Sequence, residues 1–163
     1  MTAKHFGMRV HGYTRSSRSS PDVDRYFHGP GSDAKAAFAS GVDYLVAVVP
    51  DTPETVGIID RAMIDGLPSH ALLINAGRGR SLDETALIDA LTAGRLAGAV
   101  LDVFAQEPLP VDHRFWRTPN LFITSHTAAP TVIAEAVRVF LDNYRRLAAG
   151  QPLLYQVDFE RGY

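Results

Sequence analysis

The sequence predicts a doubly wound α/β domain, a parallel sheet with helices on both faces. Five apolar runs have strand length: Met8–Tyr13, Tyr44–Val49, Ala71–Ile74, Ala97–Leu101 and Leu121–Thr124. Of these, Tyr44–Val49, Ala71–Ile74 and Ala97–Leu101 are continuously apolar rather than alternating, as strands covered on both faces require. Segments of helical periodicity lie between and after them, the third observation.

Met8–Tyr13 opens into a serine-rich loop at Arg15–Pro21. Between the third and fourth runs a helix is predicted from Asp83 to Ala93, with Ser81 and Glu84 spaced as a capping box and Gly94 as its stop. The longest helix runs from Thr131 to Ala149 and ends at Gly150 and Pro152. Ile133, Val137, Phe140, Leu141, Tyr144, Leu147 and Ala148 form its apolar stripe. Arg138, Asp142, Arg145 and Arg146 lie opposite, a solvated face with helix-spaced ion pairs. There is no internal repeat and no low-complexity segment.

Composition narrows the function. A length of 163 residues suits one domain with a substantial core. A formal net charge of -2 without any Lys/Arg run argues against a nucleic-acid partner. The absence of cysteine excludes thiolate metal sites and disulfides, and the six histidines lack HxH or HExxH spacing, so no metal is expected. With neither a signal peptide nor a long apolar span, a cytoplasmic protein without a membrane partner is expected.

In an open parallel sheet, function collects beyond the carboxyl ends of the strands. Tyr44–Val49 is followed by Pro50-Asp51-Thr52-Pro53, and Ala71–Ile74 by Asn75-Ala76-Gly77-Arg78-Gly79. Ala97–Leu101 is followed by Asp102 and then Glu107, and Leu121–Thr124 by Ser125-His126-Thr127. An arginine, two acids and a histidine thus reach one sheet edge from three successive strands. Each alone is ordinary, as a solvated loop residue or a structural hydrogen-bonder. Their convergence marks a candidate active site.

Several segments together resemble the signature of the D-isomer-specific 2-hydroxyacid dehydrogenases, closest to the glyoxylate/hydroxypyruvate reductase-like branch. They are Ile74–Gly79 with Asp83-Glu84 and Ala86-Leu87, Leu101–Phe104 with Glu107–Pro110, Pro119–Leu121 leading to His126, and Val157-Asp158 with Arg161–Tyr163. They follow the family's order across nearly the whole chain. The resemblance implies hydride transfer between a nicotinamide and a small 2-keto or 2-hydroxy acid. Arg78 matches the residue that grips the substrate carboxylate, a task suited to a planar guanidinium. His126 matches the acid/base, and Glu107 the carboxylate that supports its imidazolium. Formate-type relatives place an amide there, so Glu107 favours hydroxy-acid chemistry; its plainer reading is a turn acid before Pro108.

The resemblance also assigns cofactor contacts. Asp102 matches the residue that holds the nicotinamide carboxamide, although an Asp ending a strand also bonds loop amides. Pro50, Thr55 and the Ala76-Gly77-Arg78 backbone match the wall beside the cofactor, with His126 at its reacting end. After the family's second strand, an NAD-preferring member carries an acid; here Thr14 stands there, followed by Arg15 and Ser16. A neutral residue and an arginine suit a 2′-phosphate, so NADP is favoured over NAD. A solvated Arg15 in a serine-rich loop is the alternative.

No GxGxxG is present, and Met1–Met8 resembles the end of the helix that follows that turn in the family. The expected fold is therefore an incomplete doubly wound (Rossmann-like) sheet lacking its first strand, helix and glycine-rich turn. Residues 1–130 would be a partial dinucleotide-binding domain. Residues 131–163 would form a helix and tail that return to an absent substrate domain. Met8–Tyr13 and Tyr44–Val49 would lose a neighbour, so a homo-oligomer or a complementing N-terminal piece is expected as partner. A truncated oxidoreductase is the leading expectation. The other is a non-catalytic dinucleotide-binding scaffold, like the corepressors built on the same fold.

Overall fold

The computed structural model describes residues 2–160 and 162, so Met1, Arg161 and Tyr163 of the expected terminal segments lie outside the described residues. Every strand pairing is parallel. Strands β3 (Tyr44–Ala47), β4 (Leu72–Asn75), β5 (Gly98–Leu101) and β6 (Leu121–Ile123) form one sheet in chain order. Strands β1 (His11–Tyr13) and β2 (Arg25–Phe27) form a separate two-stranded sheet. Among the described residues no strand joins β1 to β3, and this is where the expected sheet is incomplete.

The helices are α1 (Thr2–His5), α2 (Ser32–Ala39), α3 (Arg61–Asp65), α4 (Glu84–Thr92) and α5 (Ile133–Ala148). Register explains which residues are buried. Leu45, Ala47, Leu73, Asn75, Ala99 and Leu101 point to one face of the larger sheet and are covered. Their core partners include Met63 and Ile64 of α3 and Ala86, Leu87, Ala90 and Leu91 of α4. The alternate residues look the other way, and Tyr44, Val46 and Phe122 are 54, 55 and 69 % exposed. The continuously apolar runs thus correspond to strands with one face packed and the other bare. None of the α5 residues is buried, so its apolar stripe is also uncovered.

Two sequence expectations change. Strand β2 was not among the apolar runs, because Arg25-Tyr26-Phe27 is too short to show a period. The cap of α4 is Asp83, whose carboxylate accepts from the Ala86 amide at 2.9 Å, rather than a Ser81–Glu84 box. Ser81 is instead buried in the turn before it, and Glu84 accepts from Ala105. Gly94 (φ 65°) and Gly150 (φ 65°) take the left-handed conformation that ends their helices, as expected.

Helix α2 joins the two sheets. Phe38 packs tilted against Tyr13 and edge-on against Phe27, with ring centroids 5.3 and 5.6 Å apart. Lys35, 8 % exposed, meets Asp60 at 2.6 Å, and Gly66 after α3 allows close approach to Ala36 and Ala39. Substituting Phe38→Ala should therefore speed amide exchange in β1 and β2 by roughly tenfold or more while leaving β4 and β5 unchanged. Exchange measured by NMR checks this, and equal acceleration in β4 would show that the two sheets open together.

Candidate active site

The Ala76–Gly79 loop after β4 is built around two glycines. A Cβ on Gly77 would lie 2.9 Å from the Val49 backbone, and one on Gly79 only 1.8 Å from the Phe104 carbonyl carbon. The loops after β3, β4 and β5 thus touch backbone to backbone. Buried Asn75 holds the turn between the glycines: its Oδ1 accepts from Gly77 (3.1 Å) and its Nδ2 donates to the Arg78 carbonyl (3.1 Å). The Ser81 hydroxyl donates to the same carbonyl at 2.6 Å. Arg78 is left exposed at the carboxyl edge, its guanidinium resting on the Gly77 carbonyl.

Glu107 and His126 meet there. His126 Nδ1 lies 2.9 Å from Glu107 Oε2, while Glu107 Oε1 accepts from the Phe104 amide at 2.9 Å. The hydrogen bond with His126, then the Phe104 amide, hold the Glu107 carboxyl below its usual range, and the Arg78 charge adds to this. An ionised carboxylate can only accept, so Nδ1 carries the proton and Nε2 is the atom free to exchange one with a ligand. His126 sits at φ 56°, which costs a side chain with a Cβ roughly 1–2 kcal/mol.

Asp102 is buried, and burial works against its charge. Hydrogen bonds from Thr124, Thr127 and Ala128 outweigh that, and its pKa is lowered to about 2. A second carboxylate–imidazole pair, unforeseen from sequence, braces the Glu107 loop. His113 Nδ1 accepts from Phe115, leaving Nε2 to face Glu84 at 3.4 Å, and Glu84 also accepts from Ala105. Beside His126 lies an open cavity of about 540 Å³ lined by Pro108, Leu109, Trp116 and Ile123. Only the polarity of Asn75 inside an apolar strand, and the Gly77/Gly79 spacing, hinted at these supports.

Besides Ala76, Gly77, Arg78, Asp102 and His126, the expected cofactor residues lie beyond the carboxyl ends of β1 and β3. Thr14 at the end of β1 is fixed by its carbonyl, which lies 2.8 Å from His28 Nδ1, and Arg15 and Ser16 follow it on the surface. Thr55 donates to the Pro50 carbonyl at 2.6 Å and shapes the loop after β3. The gap between the two sheets separates these two sets, and the charge of Arg15 reaches Glu54 in the loop after β3. A glycine-rich pyrophosphate turn is not in the sequence. Among the described residues, no group of acids and histidines could hold a metal, and no helix is long and apolar enough to cross a membrane.

Residues 1–128 match the profile described as the D-isomer specific 2-hydroxyacid dehydrogenase, NAD binding domain. The chain belongs to this family. It is 39 % identical over 158 residues to a glyoxylate/hydroxypyruvate reductase A of Salmonella heidelberg, covering 97 % of the chain and 50 % of that protein. A D-isomer specific 2-hydroxyacid dehydrogenase of Xanthobacter autotrophicus, solved with NADPH and MES, superposes with a TM-score of 0.88 at 40 % identity. That match covers 99 % of the chain and 65 % of the solved one. An NADPH-dependent glyoxylate/hydroxypyruvate reductase of Sinorhizobium meliloti, solved with NADP and sulfate, superposes at 0.89 and 34 % identity. It is matched over 99 % of this chain and 52 % of its own. The chain spans about half the length of the curated relatives it matches.

Two outcomes test this site geometry. Gly79→Ala should destabilise the protein by roughly 1–3 kcal/mol or more, and Gly77→Ala by less. Urea unfolding measures both, and equal midpoints would mean the loops do not touch as described. Because the Glu107 pKa is depressed on folding, its contribution is complete above the ordinary value of 4.5 and lost as pH falls through the lowered one. The His126 Nδ1 proton signal should accordingly survive at pH 5 and vanish only in stronger acid, whereas loss at pH 5 would contradict the pairing.

Proposed function

We propose that the chain carries the acid/base and carboxylate-binding half of an NADP-preferring reductase acting on small 2-keto acids. The observation that carries this is the 2.9 Å pairing of His126 with Glu107, on the same sheet edge as the exposed Arg78. Arg78 would clamp the substrate carboxylate and draw density from the adjacent carbonyl. A bound nicotinamide supplies the hydride. His126, protonated at Nε2, would hand its proton to the carbonyl oxygen, and Glu107 would stabilise the imidazolium beforehand. Leu109, Trp116 and Ile123 give the cavity beside the pair an apolar wall.

NADP is preferred in this reading because Thr14 places no carboxylate against a 2′-phosphate and Arg15 adds a cation beside it. The solved relatives with NADPH and NADP agree with it. Residues 1–130 are assigned to the dinucleotide-binding unit and 131–163 to a helix and tail that pack on another domain or chain. Support comes from the unjoined β1 and β3 edges, the bare sheet face at Tyr44, Val46 and Phe122, and the uncovered α5 stripe. Unpaired backbone groups and apolar faces on this scale favour association, with a second copy or with a complementing N-terminal half.

The purified chain should reduce neither glyoxylate nor hydroxypyruvate above background. Adding the N-terminal half of the Salmonella relative should restore NADPH-dependent turnover. In that complemented enzyme His126→Gln should lower kcat by roughly 10²–10⁴-fold. Arg15→Asp should shift preference from NADPH toward NADH. Steady-state kinetics decide each point: full activity of His126→Gln would remove the proton-donor role, and turnover by the chain alone would remove the need for a complement.

A further inference from the structure

The left-handed backbone at His126 needs an anchor, because φ 56° is a conformation that residues with a Cβ seldom keep unaided. One is present. We infer that Asp102 is a positioning residue whose carboxylate clamps both flanks of His126, holding the turn that brings the imidazole to Glu107. On the N-terminal side, the Thr124 hydroxyl donates to Asp102 Oδ1. On the C-terminal side, the Thr127 amide (2.9 Å) and hydroxyl (3.4 Å) donate to Oδ1, and the Ala128 amide (2.9 Å) donates to Oδ2. Between them the His126 amide donates to the Asp102 carbonyl at 2.7 Å, and Thr124 N–H reaches the Leu101 carbonyl at 3.0 Å.

Asp102 points its side chain at the loop that carries His126. Its side chain is engaged at both oxygens by the loop, and the residue is 4 % exposed. It extends β5 by one residue, so the anchor is fixed to the most fully paired part of the sheet. A carboxylate suits the position because four donors converge on it and it offers acceptors alone. An amide would turn a donor toward one of them.

The inference takes from the proposed function only that His126 is the proton donor, and its test needs no turnover. The full chain, labelled with ¹⁵N, is compared by NMR with Asp102→Asn and Thr124→Val. Asp102→Asn should keep the protection of β4 and β5 while Thr127 and Ala128 amides exchange at least tenfold faster and the His126 Nδ1 proton signal disappears. Thr124→Val removes one donor and spares the carboxylate, so the Nδ1 signal should persist but exchange several-fold faster. A folded Asp102→Asn that retains the Nδ1 signal and the loop protection overturns the inference. Should that variant fail to fold, Thr124→Val decides: an unchanged Nδ1 exchange rate overturns it, and acceleration with an intact core supports it. Full activity of His126→Gln in the complemented enzyme would instead sink the proton-donor reading and leave the clamp standing.

Discussion

The site depends on how closely the loop after β4 can approach the loop after β5. At Gly79 there is no room for a Cβ, and at Gly77 very little. Arg78 lies between these contacts, so its backbone has nowhere to drift, and Asn75 and Ser81 remove the remaining freedom of its carbonyl. The same approach fixes Phe104, whose amide holds Glu107, and Glu107 in turn holds His126. Steric exclusion at one glycine is thus transmitted through hydrogen bonds to the His126 imidazole. A directional network of this kind is preorganised without ligand, which is what general acid–base chemistry asks of its scaffold.

Sequence revealed what is periodic or chemically distinctive. Strands β3, β4 and β5 were legible because short, continuously apolar runs suit parallel strands meant to be covered on both faces, although here one face is packed and Tyr44 and Val46 stand exposed on the other. Arg78, Glu107 and His126 were legible from their places after successive strands, and the structure brings Glu107 and His126 into direct contact. What escaped was set by tertiary contact. Strand β2 has three residues, and only pairing with β1 makes it a strand. Asp83 displaced Ser81 as a cap because Ser81 is held inside the turn by Asn75 and Arg78. The His113–Glu84 brace joins residues far apart in the chain and leaves no local pattern. Nor could sequence show that Thr124 and Thr127 converge on Asp102, because their donors meet only once β6 lies beside β5.

The division between the two sheets separates two tasks. Arg78, Glu107 and His126 all follow strands of the continuous sheet, where β4 and β5 each have neighbours on both sides. Their charges are paired or anchored within this chain. Of the expected cofactor residues, Thr14, Arg15 and Ser16 follow β1 and Pro50 and Thr55 follow β3, on either side of the gap, while Ala76, Gly77, Arg78, Asp102 and His126 follow strands of the continuous sheet. The two sides of the gap are tied through α2, by the Phe38 ring contacts, the Lys35–Asp60 pair and the close approach of Gly66 to Ala36 and Ala39. Side-chain packing and one partly exposed ion pair are a weaker constraint than a hydrogen-bonded ladder. Groups that move a proton must be held to fractions of an ångström, whereas a long dinucleotide can close a crevice around itself by adding contacts at both walls. The Glu107–His126 pairing and the Asp102 contacts thus lie in the part of the fold whose strands are joined by a ladder, while the loops after β1 and β3 are positioned by packing through α2.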